Sequence, residues 1–244
     1  MSALTPAQRR LREMIASSRN IVFFGGAGMS TASGIPDFRS AHGLYQGAEG
    51  KTYEEMLSNR YFLNHPDAFW TFYKQVLLHP EAKPNAGHHA LTRLEQQGKL
   101  KAIITQNIDG LHQAAGSQKV FELHGTVHRN PCMACGRVMT LEEVLAQGGT
   151  PRCACGGMAR PDIVLYGEPL NHEVMDAAIR AVMKCDLLLV GGTSLTVYPA
   201  AGLLGYRDGA RLALINHDET PFDQRADLVV RDDIAQTLDR AIAS

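Results

Sequence analysis

Ile21-Val22-Phe23-Phe24-Gly25-Gly26-Ala27-Gly28 decides the fold of this chain. Four apolar residues without polar alternation read as a strand buried on both faces, and the Gly-x-Gly at its end reads as a tight turn. Further apolar runs of the same style follow at 100–105, 120–123, 163–166, 187–190, 212–215 and 228–230. Most of them alternate with helical stretches such as 86–97, 174–183 and 234–243. Ahead of the first strand, Thr5, Pro6 and Gln8 make a capping-box start for a helix running to about Ser18. This rhythm predicts an α/β chain built on a Rossmann-like parallel sheet with helices on both faces.

Two segments break the rhythm. Residues 36–85 hold loops and helices but no convincing strand, with Pro66 to Leu78 the clearest helix. Residues 128–161 hold four of the five cysteines and one short helical stretch near Leu141 to Ala146. Both read as inserts forming a smaller lobe, the first helical with a cofactor-binding loop and the second a zinc ribbon. Residues 1–35, 86–127 and 162–244 are left for the sheet lobe.

At 244 residues the chain is long enough to bury a sizeable core, and its net charge is −1. Neither half carries a long run of one sign, so no general affinity for nucleic acid or an anionic membrane is expected. Arg9, Arg10 and Arg12 read as a solvated helix face. The N-terminal stretch has no apolar signal core, and no run approaches the roughly 18 apolar residues of a membrane span. A cytoplasmic protein is expected, and in a reducing compartment closely paired cysteines read as metal ligands rather than disulfides.

Those pairs are Cys132-x2-Cys135 and Cys153-x-Cys155, separated by 17 residues. Four thiolates favour tetrahedral Zn2+, and so small a ribbon needs the metal's folding energy, which makes the ion structural. The second pair is tighter than usual knuckles, and Gly156-Gly157 directly after it is placed to relieve the strain. A redox role for the cluster is the alternative, and His128 would be a ligand only if one cysteine failed. Cys185 opens an apolar strand and reads as a buried small hydrophobe.

A strand, Gly26-x-Gly28 and a helix start would set backbone N–H groups and a helix N-terminus against a pyrophosphate. A hydride-transfer fingerprint needs a third glycine where this chain has Thr31, and Pro36 cuts the first helix short. Alone, Gly-x-Gly is equally a plain tight turn. Four other strand ends are polar, however. Thr105 leads into Gln106, Asn107 and Asp109; Leu123 leads into His124; Val190 leads into Gly191-Gly192-Thr193-Ser194; and Ile215 leads into Asn216. In open α/β sheets ligands bind outside the carboxyl ends of the strands, so these residues are expected to converge on one crevice.

With these residues assembled, the chain resembles the sirtuins, the NAD-dependent protein lysine deacylases, in their short bacterial form. The motifs that carry the resemblance span 26–39, 105–112, 123–125, 166–168, 192–200 and 215–216. The resemblance implies that Ala27, Gly28, Arg39, Gln106, Thr193, Ser194 and Asn216 hold the adenosine, ribose and phosphate parts of NAD. Gly26, Asp37, Ile108 and Gly192 complete the cofactor set. Asn107 and Asp109 would hold the nicotinamide ribose and carboxamide and share in catalysis, Phe38 would shield the reactive ribose carbon, and His124 would be the general base on a ribose hydroxyl. Val164, Leu165, Tyr166 and Gly167, facing Leu195 and Val197, would take an acetylated peptide as an added strand. NAD is then a co-substrate, and the products are free lysine, nicotinamide and O-acetyl-ADP-ribose. His112 is expected to pack inside the core, and His65, His79, His88, His89 and His172 carry no assigned role.

Sirtuins that remove acidic acyl groups resemble one another in a Tyr-x-x-Arg motif. This chain has Tyr73-Lys74-Gln75-Val76, which predicts acetyl or longer apolar acyl groups and not succinyl. Two rival readings stand beside deacetylation: a protein ADP-ribosyltransferase using the same NAD site, and a non-enzymatic NAD-sensing or zinc-ribbon interaction module.

Overall fold

A computed structural model describes residues 3–37 and 52–242. Its strands are β1 (Ile21–Gly25), β2 (Leu100–Thr105), β3 (Val120–Glu122), β4 (Asn130–Pro131), β5 (Val138–Met139), β6 (Leu187–Gly191), β7 (Arg211–Ile215) and β8 (Leu228–Val230). The helices are α1 (Pro6–Ser17), α2 (Tyr53–Met56), α3 (Asn59–Asn64), α4 (Pro66–Val76), α5 (Ala86–Gln96), α6 (Leu111–Ala114), α7 (Leu141–Leu145), α8 (His172–Met183) and α9 (Ile234–Ile242).

Six strands form one sheet in the order β3-β2-β1-β6-β7-β8, every pair parallel. Every residue of β1 and β6 is buried, as unalternating apolar runs require. Successive side chains of β1 enter different cores. Phe23 packs with Leu11, Leu91 and Leu238 of α1, α5 and α9, whereas Val22 and Phe24 pack with Ala178 and Val182 of α8. The pleat thus distributes one apolar run to two helical layers.

A third apolar cluster lies off the sheet. It joins Phe62, Phe69, Trp70 and Tyr73 of the helical segment to Cys132, Met139 and Val144 of the cysteine-bearing segment. Lys74 of α4 ties the two further, donating to the main-chain oxygens of Gln147 (2.5 Å) and Gly149 (2.9 Å). Among the described residues, no helix is long and apolar enough to cross a membrane.

The Thr5 capping box is present, with Gln8 N–H donating to Thr5 Oγ1 at 3.2 Å. Two expectations are corrected. Residues 163–166 do not enter the sheet; they make only isolated bridges, Ile163 with Gly125 and Tyr166 with Ser58. Their apolar run packs against the third cluster instead, through Ile163 and Leu165. The glycine-rich turn also opens no α-helix. It continues as two 3-10 turns, Ala27–Met29 and Thr31–Ser33, closed by Gly34 at φ +84°.

Candidate active site

The order in which strands are added reverses between β1 and β6, whose last residues, Gly25 and Gly191, are paired. Two glycine turns therefore lie side by side at the carboxyl edge, where such sheets hold their ligands. Gly28 N–H donates to Gly192 O at 2.8 Å, and Gly26 N–H to Gly191 O at 3.3 Å. A Cβ on Gly28 would stand 2.7 Å from Gly192 Cα, so the close approach of the two backbones admits no side chain there. Gly192 itself has φ +63°.

A cavity of about 1240 Å3 opens over this edge. Ala27, Gly28, Asp37, Gly192, Thr193, Ser194 and Asn216 line it from the glycine turns and the β6 and β7 ends. Gln106, Asn107, Ile108, Asp109 and His124 line it from the β2 and β3 ends. Val164, Leu165, Tyr166, Gly167 and Val197 line a further part of its wall. Gly26 and Leu195 are absent from the wall; the Leu195 side chain is buried in the core shared with α8, and its backbone has φ +56°. Phe38 and Arg39 lie outside the described residues.

The polar strand ends interlock. Thr193 Oγ1 donates to Gln106 Oε1 at 2.8 Å, and Asn216 Nδ2 donates to Thr193 O at 2.7 Å. Gln106 Nε2 is buried and has no protein partner, leaving a donor free for a ligand acceptor. Asn107 Nδ2 donates to Ser30 Oγ (3.0 Å), whose hydroxyl donates to Asp109 Oδ2 at 2.6 Å. Ser30 was not singled out from the sequence, although it sits in the Gly-rich motif; it joins the two residues expected at the nicotinamide end. Tyr53 and His79 also reach the cavity wall from the helical segment, with no local signal to mark them.

His124 is half-buried, and its Nδ1 lies 2.8 Å from Gln106 O. A carbonyl only accepts, so Nδ1 carries the proton and Nε2 keeps a free lone pair. Burial lowers the His124 pKa from its ordinary value, and the Gln106 carbonyl opposes that shift. His112 is buried as expected, but both its ring nitrogens lack partners; it packs edge-on against His88 and Phe23.

The size and chemistry of the cavity fit a dinucleotide together with an inserted side chain. The Gly28–Gly192 contact gives a turn without side chains that a ligand can approach closely, and the Gln106 amide offers an unspent donor. No Lys or Arg side chain lines the cavity among the described residues.

Away from the cavity, the four cysteine Sγ atoms lie within 4.8 Å of one another. Cys132 and Cys155 sulfurs are 3.5 Å apart, and those of Cys135 and Cys153 are 3.8 Å apart. Tetrahedral zinc with Zn–S near 2.3 Å puts sulfurs about 3.8 Å apart, so this cluster has the spacing of a zinc-binding site. The tight second pair is accommodated by Gly156, at φ +85°, whose N–H closes the knuckle on Cys153 O at 2.8 Å. A Cβ on Gly157 would stand 2.6 Å from Cys132 Sγ. His128 is not part of the cluster; its Nε2 donates to Asp109 O at 3.0 Å.

Comparison with known proteins agrees with this geometry. The model of the Sir2 family matches residues 26–199. An NAD-dependent protein deacetylase of Cutibacterium acnes is 54% identical, covering 94% of this chain and 95% of that protein. One from Clostridium acetobutylicum is 51% identical, covering 95% and 96%. Among solved structures, a Sir2 complex with p53 peptide and NAD+ superposes with TM-score 0.85 at 38% identity, covering 96% of this chain and 97% of that one. A Sir2 variant with deacetylated p53 peptide and 3′-O-acetyl-ADP-ribose gives TM-score 0.88 at 38% identity and the same coverage. The chain belongs to the Sir2 family of NAD-dependent protein deacetylases.

Proposed function

We propose that this chain removes acetyl groups from protein lysines at the cavity between the β-strand ends and residues 164–167, with His124 as general base. The observation that carries the reading is the convergence of His124, with a free Nε2, and the linked Asn107–Ser30–Asp109 group on one cavity. NAD supplies an activated ribose carbon whose bond to nicotinamide breaks as the acyl oxygen bonds to it. Ala27, Gly28, Gly192, Thr193, Ser194 and Asn216 bind the adenosine and phosphate end, with Gln106 Nε2 donating to it. Gly26, Asp37 and Ile108 support that wall, and Phe38 and Arg39 complete it as the family motif implies. Asn107 and Asp109 orient the nicotinamide end. His124 Nε2 takes the proton of a ribose hydroxyl, whose oxygen then attacks the former acyl carbon; water releases free lysine and O-acetyl-ADP-ribose. Proximity within the cavity supplies the reactivity that an amide oxygen lacks.

The acylated peptide lies against Val164 to Gly167 and the backbone at Leu195 and Val197. The acyl group is acetyl or apolar: Val76 reaches the cavity, Lys74 is committed to Gln147 and Gly149, and a succinyl carboxylate meets no cation among the described lining residues. Residues 36–85 and 128–161 act as one small lobe against the NAD-binding lobe, with structural Zn2+ on Cys132, Cys135, Cys153 and Cys155. A zinc site built from free thiolates fits a reducing compartment, the cytoplasm.

Mass spectrometry of an acetyl-lysine peptide incubated with the protein, with and without NAD, tests the reading. Deacetylation that needs NAD, yields O-acetyl-ADP-ribose and vanishes in His124→Ala supports it. NAD consumption with ADP-ribose transferred to protein and the peptide still acetylated would replace it with the transferase reading. Succinyl-peptide turnover equal to acetyl-peptide turnover would refute the acyl preference.

A further inference from the structure

The segment 163–168 is held in an unusual way for a stretch outside the sheet. On one edge, Val164 N–H donates to His124 O (3.0 Å), Tyr166 N–H donates to Leu57 O (3.0 Å), and Asn59 N–H donates to Tyr166 O (3.1 Å). Residues of alternate parity face the other edge of an extended segment. There Leu165 is satisfied from within the segment by a single residue. Its N–H donates to Glu168 Oε2 (2.9 Å), and its oxygen accepts Glu168 N–H (3.0 Å) across a turn with Gly167 at φ +90°.

Glu168 is itself fixed. Arg160 Nη2 lies 2.6 Å from Glu168 Oε1 and 2.7 Å from Oε2, and the two side chains are 30% and 19% exposed. Arg160 stands on the segment leaving the cysteine cluster, where Arg160 N–H donates to Pro131 O at 2.9 Å and Ala159 makes an isolated bridge with Cys132. Arg160 thus links the backbone beside Cys132 to Glu168, and Glu168 to the Leu165 backbone.

We propose that Arg160 and Glu168 are positioning residues for the acylated substrate, holding segment 164–167 in the form that receives the peptide. The proposal rests on the reading of that segment as the peptide site. With Leu165 satisfied internally, the contact left to an added peptide backbone on this side is the turn residue Gly167, which is exposed and lines the cavity. The hydrogen bonds of Arg160 and Glu168 go to each other, Leu165 and Pro131. None of these lies on the glycine turns or the β6 and β7 ends, so the NAD side of the cavity is held by other contacts.

The test is steady-state kinetics and direct binding of a labelled acetyl-lysine peptide for the wild type and three variants. Glu168→Ala removes both the charge and the acceptor for Leu165. Glu168→Gln keeps the acceptor, and Arg160→Met keeps the stem without the charge. Loss of a charge-assisted, partly buried contact predicts a peptide KM raised about tenfold or more in Glu168→Ala, with smaller rises in the other two. NAD KM, kcat at saturating peptide and zinc content stay near wild type, a split that general destabilisation would not produce. A peptide KM within about twofold of wild type in Glu168→Ala overturns the proposal. So does a joint rise of peptide and NAD KM in Glu168→Gln, the variant least able to disturb folding. A wild-type protein that binds no acetyl-lysine peptide would instead overturn the peptide-site reading, and the positioning role with it.

Discussion

His124 Nδ1 lies 2.8 Å from the main-chain oxygen of Gln106, and this contact fixes the imidazole tautomer. Gln106 thereby serves twice: its carbonyl orients the His124 ring while its side-chain amide meets Thr193 on the cavity wall. The backbone immediately after β2 thus ties the His124 imidazole to the same loop that holds Asn107 and Asp109.

The first consequence concerns pH. Burial lowers the His124 pKa, so its neutral, proton-accepting form persists below the unperturbed value near 6.5. The acid limb of kcat/KM for acetyl-peptide should therefore have its midpoint below about 6.5. His124→Ala should lose about 100- to 10,000-fold in rate, the usual contribution of a positioned general base, while still binding NAD. Rate–pH profiles and NAD titration of the variant check both.

Acid stability has a separate origin. Burial pushes the His88 pKa down to about 4 and the His112 pKa down to about 3, so both are neutral in the folded chain. The unfolded chain takes up protons at these positions as pH drops below about 6.5. Their contribution to stability is full above that value and is lost progressively as pH falls toward 4 and then 3. His112→Phe keeps a ring against Phe23 and removes two partnerless nitrogens. It should unfold at lower pH than wild type in acid titrations followed by circular dichroism; an unchanged or higher midpoint would count against this account.

The Gly28–Gly192 approach predicts a selective defect. In Gly28→Ala the new Cβ meets Gly192 Cα at 2.7 Å, and backbone cannot yield as a flexible side chain can. Overpacking of this kind costs about 1–3 kcal/mol. We expect a lower melting temperature together with NAD binding weakened by about tenfold, since every 1.4 kcal/mol is a factor of ten. Peptide affinity, read by direct binding, should change little.

Metal removal should act through folding. The cysteine-bearing segment shares its apolar cluster with α4, and Cys132 and Cys153 are themselves buried in it. Stripping zinc with a chelator, or Cys153→Ala, should lower the melting temperature and abolish deacetylation. Adding zinc back should restore the stripped wild type but not the variant. Metal analysis alongside thermal melts gives the readout; retained activity in metal-free protein would contradict a structural role.

The sequence by itself determined the elements and most of the chemistry-bearing residues. Apolar runs without alternation specified β1, β2, β6 and β7, because a strand buried on both faces has no polar face to show. The Thr5 box set the start of α1, and four cysteines in two close pairs specified the metal cluster, because their ligand atoms are brought together by short knuckles. The cavity residues Gln106, Asn107, His124, Thr193 and Asn216 were legible because each lies within two residues of the end of a strand at the same sheet edge.

Tertiary structure decided what depends on distant partners. Ser30 meets Asp109 across 79 positions, and Thr193 meets Gln106 across 87, so no local pattern announces either pair. Residues 163–166 carry the composition of a sheet strand, yet they pack off the sheet, because His124, Leu57 and the third apolar cluster supply their partners. Burial of Leu195 and the grip of Glu168 on Leu165 were equally hidden. Hydrophobic periodicity reports which residues leave water, whereas the choice of neighbour follows from which surfaces remain open once the sheet has formed.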